Sequence, residues 1–333
     1  MGNMKRNTIY LPVFCIALSM ILICVPVMAE GGGGGGGGGD GSGMGGGGNK
    51  NISSVSSGLL SPQFILGGLV ALAGLILLRT TKINWNIRTL LMCAVFVLFG
   101  VLVIMHQPSP LRAVVDPVTA LVTGSAITLK KTTALIFIGG LSVIGAKLFC
   151  GWVCPFGALQ EIVNRIPAPY GKKIKLPFKI SNGIRISIFV ISLIMILATG
   201  SDLYTYHNIL NPFELFNWHF ELVLAVLVGA VLVASVFVYR PFCYLVCPVG
   251  LLTWLLEHIS IFRVRLDPGK CNHCKKCIRM SPCPSVKAIV DGDKLRPDCF
   301  ACGVCIDACP TDALAFGIDK MRANRSRDRE SGD

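Results

Sequence analysis

Eight cysteines near the C-terminus form two similar runs, each with three cysteines spaced by two residues and then a Cys-Pro pair. The runs are Cys271, Cys274, Cys277, Cys283-Pro284 and Cys299, Cys302, Cys305, Cys309-Pro310. A [4Fe–4S] cluster needs four thiolates, and three of them come from one such tight turn. The prolines direct the chain away from the cluster and remove a backbone donor. The sequence therefore predicts two [4Fe–4S] clusters.

The fourth ligand of each cluster is expected from the opposite run, as in two-cluster ferredoxins. The predicted ligand sets are Cys271, Cys274, Cys277 and Cys309 for cluster 1, and Cys299, Cys302, Cys305 and Cys283 for cluster 2. The first run has five residues, Ile278 to Pro282, in place of the usual three, which indicates a bulged loop. A pair of four-cysteine zinc sites is the alternative. His273 is interpreted as a solvated loop residue.

A second pair of motifs lies earlier in the chain and forms an internal repeat. Phe149-Cys150-Gly-Trp-Val-Cys154-Pro-Phe-Gly157 matches Phe242-Cys243-Tyr-Leu-Val-Cys247-Pro-Val-Gly250. Each motif precedes a short amphipathic stretch, at 158–166 and 251–261. Because residues four apart share a helix face, each Cys-x-x-x-Cys pair can present two sulfurs together.

These four cysteines leave three interpretations open. Cys150, Cys154, Cys243 and Cys247 could hold an additional metal, as a third iron–sulfur site. They could instead form a dithiol relay, or they could be inert buried residues. The remaining cysteines, Cys15, Cys24 and Cys93, lie in apolar runs and are expected to be core or lipid-facing residues.

The composition points to a membrane protein. Only 15% of the 333 residues are charged and 53% are hydrophobic, whereas a soluble domain carries about a quarter charged residues. The net charge of +13 is typical of a membrane protein with basic cytoplasmic loops. The sequence has no basic stripe interleaved with aromatic residues, so it does not indicate nucleic-acid binding.

Five apolar segments of roughly 15–18 residues are predicted to span the membrane as helices. They lie at about 64–78, 90–105, 133–149, 184–199 and 222–239. Flanking residues that can extend them by snorkelling are Arg79, Arg88 and Lys147.

The orientation follows from the basic residues of the loops. One set of loops carries Arg79, Lys82, Arg88, Arg165, Lys172, Lys173, Lys175, Lys179 and Arg185. The opposite set carries only Lys50, Arg112, Lys130 and Lys131. The basic side is expected to be cytoplasmic, so five spans that start outside leave residues 240–333 in the cytoplasm.

The domain organisation follows from these segments. Residues 1–29 are predicted to be a signal peptide or signal anchor, and residues 30–58 a glycine-rich periplasmic linker. Residues 59–262 form the predicted transmembrane domain, and 263–317 an α+β module with two [4Fe–4S] clusters. The charged tail 318–333 is expected to be disordered. The predicted fold class is an α-helical membrane bundle with a C-terminal two-cluster ferredoxin module.

Other chemistry has little support in the sequence. There is no Cys-x-x-Cys-His haem motif, no Gly-x-Ser-x-Gly elbow, no Walker A motif and no dinucleotide fingerprint. Polar residues near the external ends of the spans are interpreted as solvated loop residues, and no quinone site is assigned to them. They are His106, Asp116, Asp202, His207, Glu214 and His219.

The ordered set of motifs resembles the NapH/MauN-type membrane polyferredoxins over residues 60–317, with CGWVCP at 150–155 and CYLVCP at 243–248. The C-terminal halves of NosR/NirI-type proteins share it. The glycine-rich tract departs from the family pattern. The resemblance implies a multi-pass protein of a bacterial plasma membrane that exchanges electrons between quinone and a redox partner. Such a partner is another electron-transfer subunit, a ferredoxin-like protein or a cytochrome.

Three functions remain to be distinguished. The leading one is a membrane-bound iron–sulfur electron-transfer protein, with quinone as its substrate and a role as a quinol dehydrogenase subunit left open. The alternative is a redox-sensing regulatory protein or one that assembles metallo-cofactors. The third is a structural subunit of a larger complex, in which the clusters only bridge partners. The motifs do not define the direction of electron flow.

Overall fold

The computed structural model describes residues 62–80, 83, 85–103, 109–124, 129–167, 173–199, 211–213, 222–293 and 296–318. The predicted signal segment, the glycine-rich tract and nearly all of the C-terminal tail lie outside these residues. So do Cys15 and Cys24.

The first part of the described chain is helical. Its helices are α1 (Pro62–Thr80), α2 (Trp85–Val95, continued by π-helical turns over Phe96–Val103), α3 (Pro110–Thr123), α4 (Leu129–Gly145), α5 (Leu148–Trp152), α6 (Pro155–Asn164), α7 (Phe178–Thr199), α8 (Leu222–Phe237), α9 (Pro241–Leu245) and α10 (Pro248–Glu257). The C-terminal part contains β1 (Arg263–Leu266), α11 (Lys276–Met280), α12 (Ser285–Asp291), α13 (Val304–Asp307) and β2 (Leu314–Gly317).

All five predicted spans fall on helices, but their lengths differ. Within the described residues, two helices are long and apolar enough to cross a membrane, at Gln63–Thr80 and Phe178–Thr199. The other three predicted spans correspond to shorter apolar helices, at Asn86–Gly100, Thr132–Gly145 and Leu222–Phe237. A bundle of five membrane-spanning helices therefore remains a prediction.

The two long helices expose apolar side chains along much of their length. On α1 the large exposed residues are Ile65, Leu69, Leu72 and Ile76; on α7 they include Val190, Ile191, Ile194 and Leu197. Apolar surface of this extent suits contact with lipid, and the backbone groups inside each helix are satisfied internally. The protein is therefore associated with the membrane.

Helix α3 is an element that the sequence did not predict, because this region was interpreted as an external loop. Ser109 caps its N-terminus by accepting a hydrogen bond from Arg112 N, Pro110 occupies the first turn, and Gly124 follows in a left-handed conformation. These are ordinary helix start and stop signals. The apolar face of α3 is buried against α4, α7 and α10.

The C-terminal module is an α+β unit, as predicted. Strands β1 and β2 pair antiparallel, with Arg263 opposite Gly317 and Leu266 opposite Leu314. The short helices α11, α12 and α13 lie between the two strands in the sequence. The module joins the helical domain through the segment after α10, where Ile261 and Phe262 donate backbone hydrogen bonds to the end of α4.

Two basic residues do not snorkel as the sequence had suggested. Arg88 and Lys147 are 1% and 0% exposed, and both form ion pairs inside the protein, with Glu161 and Asp298 respectively. The prediction was wrong because buried carboxylates are available to them. Arg79, in contrast, is exposed at the end of α1.

Candidate metal centres

The two cysteine-rich runs adopt the same backbone turn. In the first cysteine loop (Cys271–Cys277), residues His273 and Lys275 have positive φ values of 54° and 55°. In the second cysteine loop (Cys299–Cys305), the equivalent Ala301 and Gly303 have φ values of 48° and 78°. Left-handed residues in such turns let successive backbone N–H groups face an anionic group, as they do at many iron–sulfur sites.

Cys309 approaches the first loop although it belongs to the second run. Burial raises the pKa of the Cys277 thiol, and three neighbouring thiols act in the same direction: Cys309, Cys274 and Cys271. Four sulfurs from two distant parts of the chain are thus brought together. They are the four residues of the predicted first ligand set.

Cys283 approaches the second loop in the same way. Burial raises the pKa of Cys283 to about 12, and the nearby Cys302 raises it as well. Burial also raises the pKa of Cys299 well above its ordinary value, and the nearby Glu257, Cys283 and Cys305 raise it further. The bulge expected between Cys277 and Cys283 is largely taken up by helix α11.

The two cysteine sets lie side by side but differ in exposure. Burial raises the pKa of the Cys305 thiol, and Cys302 and Cys283 of the same set raise it further. Cys277, which belongs to the other set, has a smaller effect in the same direction. Cys274 and the residues around it are exposed, including His273, as the sequence had suggested. The second loop is mostly buried. Among the described residues, no three Cys, His, Asp or Glu side chains converge closely enough to hold a single metal ion.

The second loop is buried because it packs onto the helical domain. The Phe300 ring is 1% exposed and makes edge-on contacts with Tyr239 and Tyr244, at centroid distances of 5.9 and 5.2 Å. Lys147 Nζ and the Arg240 guanidinium lie over the same ring, at 5.3 and 4.9 Å. Phe300 is therefore the apolar anchor of the module.

Backbone groups of the second loop complete this contact. Trp152 Nε1 donates to Ala301 O at 2.9 Å, and Tyr244 Oη donates to Asp298 O at 3.2 Å. Gly151 lies so close to the Phe300 carbonyl that a Cβ at this position would clash with it. Close packing against the second cysteine loop thus explains why position 151, between the two cysteines of the first CxxxCP motif, is a glycine.

Asp298, next to Cys299, links three parts of the molecule through ion pairs. Its carboxylate contacts Lys147 Nζ, which precedes α5, and Arg185 Nη1 on α7 at 3.1 Å. Nearby, Glu257 Oε2 accepts a hydrogen bond from Cys299 N at 3.2 Å. Burial raises the pKa of Glu257 to about 8.

Glu161 on α6 is the centre of a second buried network. It contacts three guanidinium groups: Arg88 at 2.9 Å, Arg165 at 2.8 Å and Arg240 at 2.5 Å. Tyr239 Oη donates a further hydrogen bond at 2.9 Å. Burial alone would raise the pKa of Glu161, but the three arginines hold it well below its ordinary value.

The two CxxxCP motifs form matching turns, named here the CP turns (Cys150–Gly157 and Cys243–Gly250). In each turn the first cysteine lies on a short helix, α5 or α9, and the second caps the N-terminus of α6 or α10. All four cysteines are buried and line one cavity. The other walls are apolar and include Phe149, Phe156, Phe242, Pro110, Leu111 and Phe213.

Hydrogen bonds cross between the two CP turns at equivalent positions. Gln160, six residues after Cys154, donates through Nε2 to Cys243 Sγ at 3.7 Å. Thr253, six residues after Cys247, lies with its Oγ1 at 3.8 Å from Cys150 Sγ. The repeat in the sequence is therefore also a repeat in space, with each half contacting the first cysteine of the other.

The glycines of the two CP turns are required by close approach. A Cβ on Gly157 would lie 2.9 Å from Cys150 O, and one on Gly250 would lie 2.5 Å from Cys243 O. Gly157 N also donates to Cys154 Sγ at 3.4 Å. The matched glycine of the repeat thus lets α6 and α10 start directly against the first cysteine of their own turn.

Of the polar residues considered near quinone, Asp116 is the one that lies within the described residues. Asp116 is half-buried on α3 rather than in a solvated loop. The other five candidates lie outside the described residues. Cys93 is buried on α2, as expected for a core residue.

Sequence reasoning missed Phe300, Asp298 and Glu161. Their available signal was weak: Glu161 is an acid inside a short amphipathic stretch, and Asp298 and Phe300 flank Cys299. No spacing rule connects them to the basic residues that they contact.

Comparison with known proteins agrees with this architecture. A family model described as "4Fe-4S binding domain" matches residues 132–177 and 220–266. The two matched segments contain the CP turns. Together, the fold and the cysteine motifs define a helical protein with a 4Fe–4S ferredoxin domain.

Several relatives match more than half of this chain. The methylamine utilization ferredoxin-type protein MauN of Methylobacillus flagellatus is 31% identical over 229 residues, which cover 63% of this chain and 77% of MauN. The ferredoxin-type protein NapH of Escherichia coli is 28% identical over 202 residues, 57% of this chain and 68% of NapH. This chain belongs to the NapH/MauN-type family of ferredoxin-type proteins.

A more distant similarity extends to a larger protein. The regulatory protein NosR of Pseudomonas aeruginosa is 26% identical over 211 residues, 57% of this chain but only 28% of NosR. The chain spans 66% to 77% of the length of the smaller relatives that it matches. No solved structure matches it.

Proposed function

We propose that this protein carries electrons between the membrane quinone pool and a redox partner through two [4Fe–4S] clusters. The observation that carries the proposal is the crossed grouping of the eight cysteines in the C-terminal module. Thiolates are the donors that such clusters require, and both loops have the left-handed residues that turn backbone N–H groups toward an anion. When bound, the clusters supply one-electron transfer.

This grouping supports the following ligand sets. Cluster 1 takes Cys271, Cys274, Cys277 and Cys309, and cluster 2 takes Cys299, Cys302, Cys305 and Cys283. The chain's other groups near cluster 2 orient the loop and exclude water. Phe300 and Trp152 anchor the second cysteine loop on the helical domain. Glu257 accepts a hydrogen bond from Cys299 N.

Membrane topology completes the proposal. Five spans place the module in the cytoplasm, at the surface of a bacterial plasma membrane. The packing supports this sidedness, because basic segments assigned to the cytoplasm contact the module. Lys175 Nζ donates to Ile278 O at 2.5 Å, and Gly303 approaches Leu78 at the end of α1.

A fusion of alkaline phosphatase to the C-terminus tests this orientation. The fused enzyme should be inactive, because the C-terminus is proposed to lie in the cytoplasm. An active fusion would indicate the opposite orientation.

The clusters are tested by anaerobic purification followed by iron, sulfide and EPR measurements. Two clusters predict about eight irons per chain. Crossed ligation predicts that Cys309→Ser perturbs the EPR signal of cluster 1, although Cys309 follows the second loop. Cys283→Ser should perturb cluster 2. The reverse assignment of signals would contradict the crossed sets, and zinc in place of iron would overturn the clusters.

The quinone step has its own test. Membranes containing the chain should reduce the clusters when a short-chain quinol is added, or oxidise reduced clusters when the quinone is added. If the clusters are intact but respond to neither, the electron-transfer role with quinone is wrong. A regulatory or cofactor-assembly role would then be the better reading.

A further inference from the structure

The described part of the chain buries more basic than acidic side chains. Five basic groups and three carboxyl groups are buried among these residues. The buried basic residues are Arg88, Lys147, Arg165, Arg185 and Arg240, and the buried acidic residues are Glu161, Glu257 and Asp298. Because buried positive charge without compensation is costly, an excess of this kind requires negative charge close by.

Two of these cations lie against the residues that flank Cys299, a proposed ligand of cluster 2. The neighbours of Cys299 in the chain are Asp298 and Phe300. Lys147 contacts both of them, because its Nζ pairs with the Asp298 carboxylate and lies 5.3 Å from the centroid of the Phe300 ring. The Arg240 guanidinium lies over the same ring at 4.9 Å. Positive charge is therefore held against both residues that adjoin this cysteine.

The basic residues around the first cysteine loop are in a different environment. Lys275, Lys276 and Arg279 are exposed, and the Lys270 side chain is 64% exposed. Water and dissolved ions screen exposed charges, whereas buried charges interact through a medium of lower dielectric constant. The buried cations therefore act more strongly on cluster 2 than the surface cations act on cluster 1.

We infer that Lys147 raises the midpoint potential of cluster 2 and that Asp298 lowers it, so that this ion pair sets the potential at which cluster 2 accepts an electron. The inference rests on the proposed function, which requires the cluster. A [4Fe–4S] cluster held by four thiolates gains one negative charge when it accepts one electron, and no bond forms or breaks. A nearby cation stabilises the added charge, and a nearby carboxylate destabilises it.

The two charges of this pair belong to different parts of the molecule. Lys147 precedes α5 in the helical domain, whereas Asp298 belongs to the C-terminal module. The cation therefore reaches the second cysteine loop across the contact in which Phe300 is buried. The helical domain thus adjusts the potential of cluster 2 in addition to anchoring its loop.

Redox titration of the full-length protein tests the inference. Protein purified anaerobically in detergent is reduced stepwise with dithionite through mediators, and EPR follows both clusters; the signal of cluster 2 is the one that Cys283→Ser perturbs. Lys147→Met should make reduction of cluster 2 about tenfold less favourable, which is a shift of about 59 mV for a one-electron couple. Lys147→Arg keeps the charge and should restore the wild-type potential. Lys179→Met removes the same charge from an exposed position of α7 and should change neither potential.

Asp298→Asn makes the opposite change at the same contact. It removes the carboxylate and leaves the cations Lys147 and Arg185 in place, so reduction of cluster 2 should become about tenfold more favourable. A purely structural role predicts that the loss of either partner disturbs the loop alike, with shifts of the same sign. Shifts of the same sign in Lys147→Met and Asp298→Asn, or equal shifts in both clusters, would overturn the inference.

Arg185→Gln covers the case in which Lys147→Met does not fold. Arg185 Nη1 lies 3.1 Å from Asp298 Oδ1, so its loss should also lower the potential of cluster 2, and Arg185→Lys should restore it. Two clusters with unchanged potentials in all of these variants would overturn the role of the ion pair while leaving the proposed function intact. A wild-type protein without an EPR signal from either cluster would instead contradict the proposed function.

Discussion

Glu161 is a single carboxylate that contacts three buried guanidinium groups. Its partners come from α2, from its own helix α6 and from the turn before α9, so it connects three segments of the helical domain. The carboxylate is 2% exposed, which leaves water little access to the cations. The residue therefore holds both CP turns at a fixed distance from α2.

Glu161→Gln should destabilise the helical domain strongly. Removing one partner of a buried ion pair costs about 3–5 kcal/mol, because the opposite charge is left buried without compensation. Thermal unfolding of the detergent-solubilised protein should show a clear fall in the midpoint. Asp267→Asn is the control, since its pair with Lys270 is 3.9 Å long and largely exposed. An exposed pair contributes at most about 1 kcal/mol. Equal effects of the two variants would contradict the role of Glu161.

Gly151→Ala should loosen the module from the helical domain. The added methyl group would clash with the Phe300 carbonyl, and overpacking of this kind costs roughly 1–3 kcal/mol. Limited proteolysis between α10 and β1 should become faster. Gly140→Ala on α4 is the matched control, because a Cβ there meets no atom within 4 Å. If both variants resist protease like the wild type, Gly151 does not determine the docking.

Single residues also show what the sequence could predict. The cysteines were identified because thiolate spacing is a local property of the chain. Asp298, Glu161 and Phe300 were not, because their role depends on partners tens of residues away. Arg88 and Lys147 were misassigned for the same reason: near an apolar segment a cation suggests snorkelling unless its carboxylate partner is known.

At the scale of elements, repeated sequence gave the most reliable information. The CP turns were recognised from six matched residues, and the amphipathic stretches after them are helices α6 and α10. Their burial within the helical domain was not predictable, since amphipathic patterning alone also suits a helix at the membrane surface. Helix α3 was missed although it has an N-cap and a C-terminal glycine. Arg112 and Asp116 interrupt its apolar residues, so the segment lacks the long apolar run of a membrane span.

Leu69→Lys on α1 tests whether the long apolar helices face lipid. Leu69 is 58% exposed in the middle of α1, and a lysine at the centre of a membrane span costs about 2.5–3.5 kcal/mol for insertion. The yield of membrane-inserted protein should therefore fall several-fold, as measured by alkaline extraction of membranes. Ile259→Lys is the control, because Ile259 is 66% exposed but follows α10 outside the predicted spans. Equal losses for both variants would argue against lipid contact at Leu69.

At the scale of the whole molecule, the two cysteine loops face different surroundings. The second loop is buried on the helical domain beside the CP turns, whereas the first loop exposes Cys274 to solvent. In the proposed electron-transfer function, the first loop is therefore the end of the path that solvent can reach. A soluble partner that exchanges electrons with this protein is expected to dock there.

The charge of the first loop defines which partner fits. Lys275 and Lys276 are exposed within the loop, and Lys270 and Arg279 lie next to it in the sequence. A basic surface accelerates association with an acidic partner, and this acceleration falls as ionic strength rises. An acidic soluble ferredoxin is a suitable probe.

Lys275→Glu should slow electron exchange with this probe by about tenfold at low salt, because electrostatic steering is reversed next to the exposed cysteine. The rate should also depend less on salt than in the wild type, as measured by stopped-flow absorbance over a range of ionic strengths. Lys287→Glu makes the same change in net charge on an exposed position of α12 and serves as the control. Because overall charge is equal in the two variants, only a local docking surface predicts a larger effect at Lys275. If both variants slow the reaction equally, net charge rather than the first loop governs the encounter, and the partner docks elsewhere.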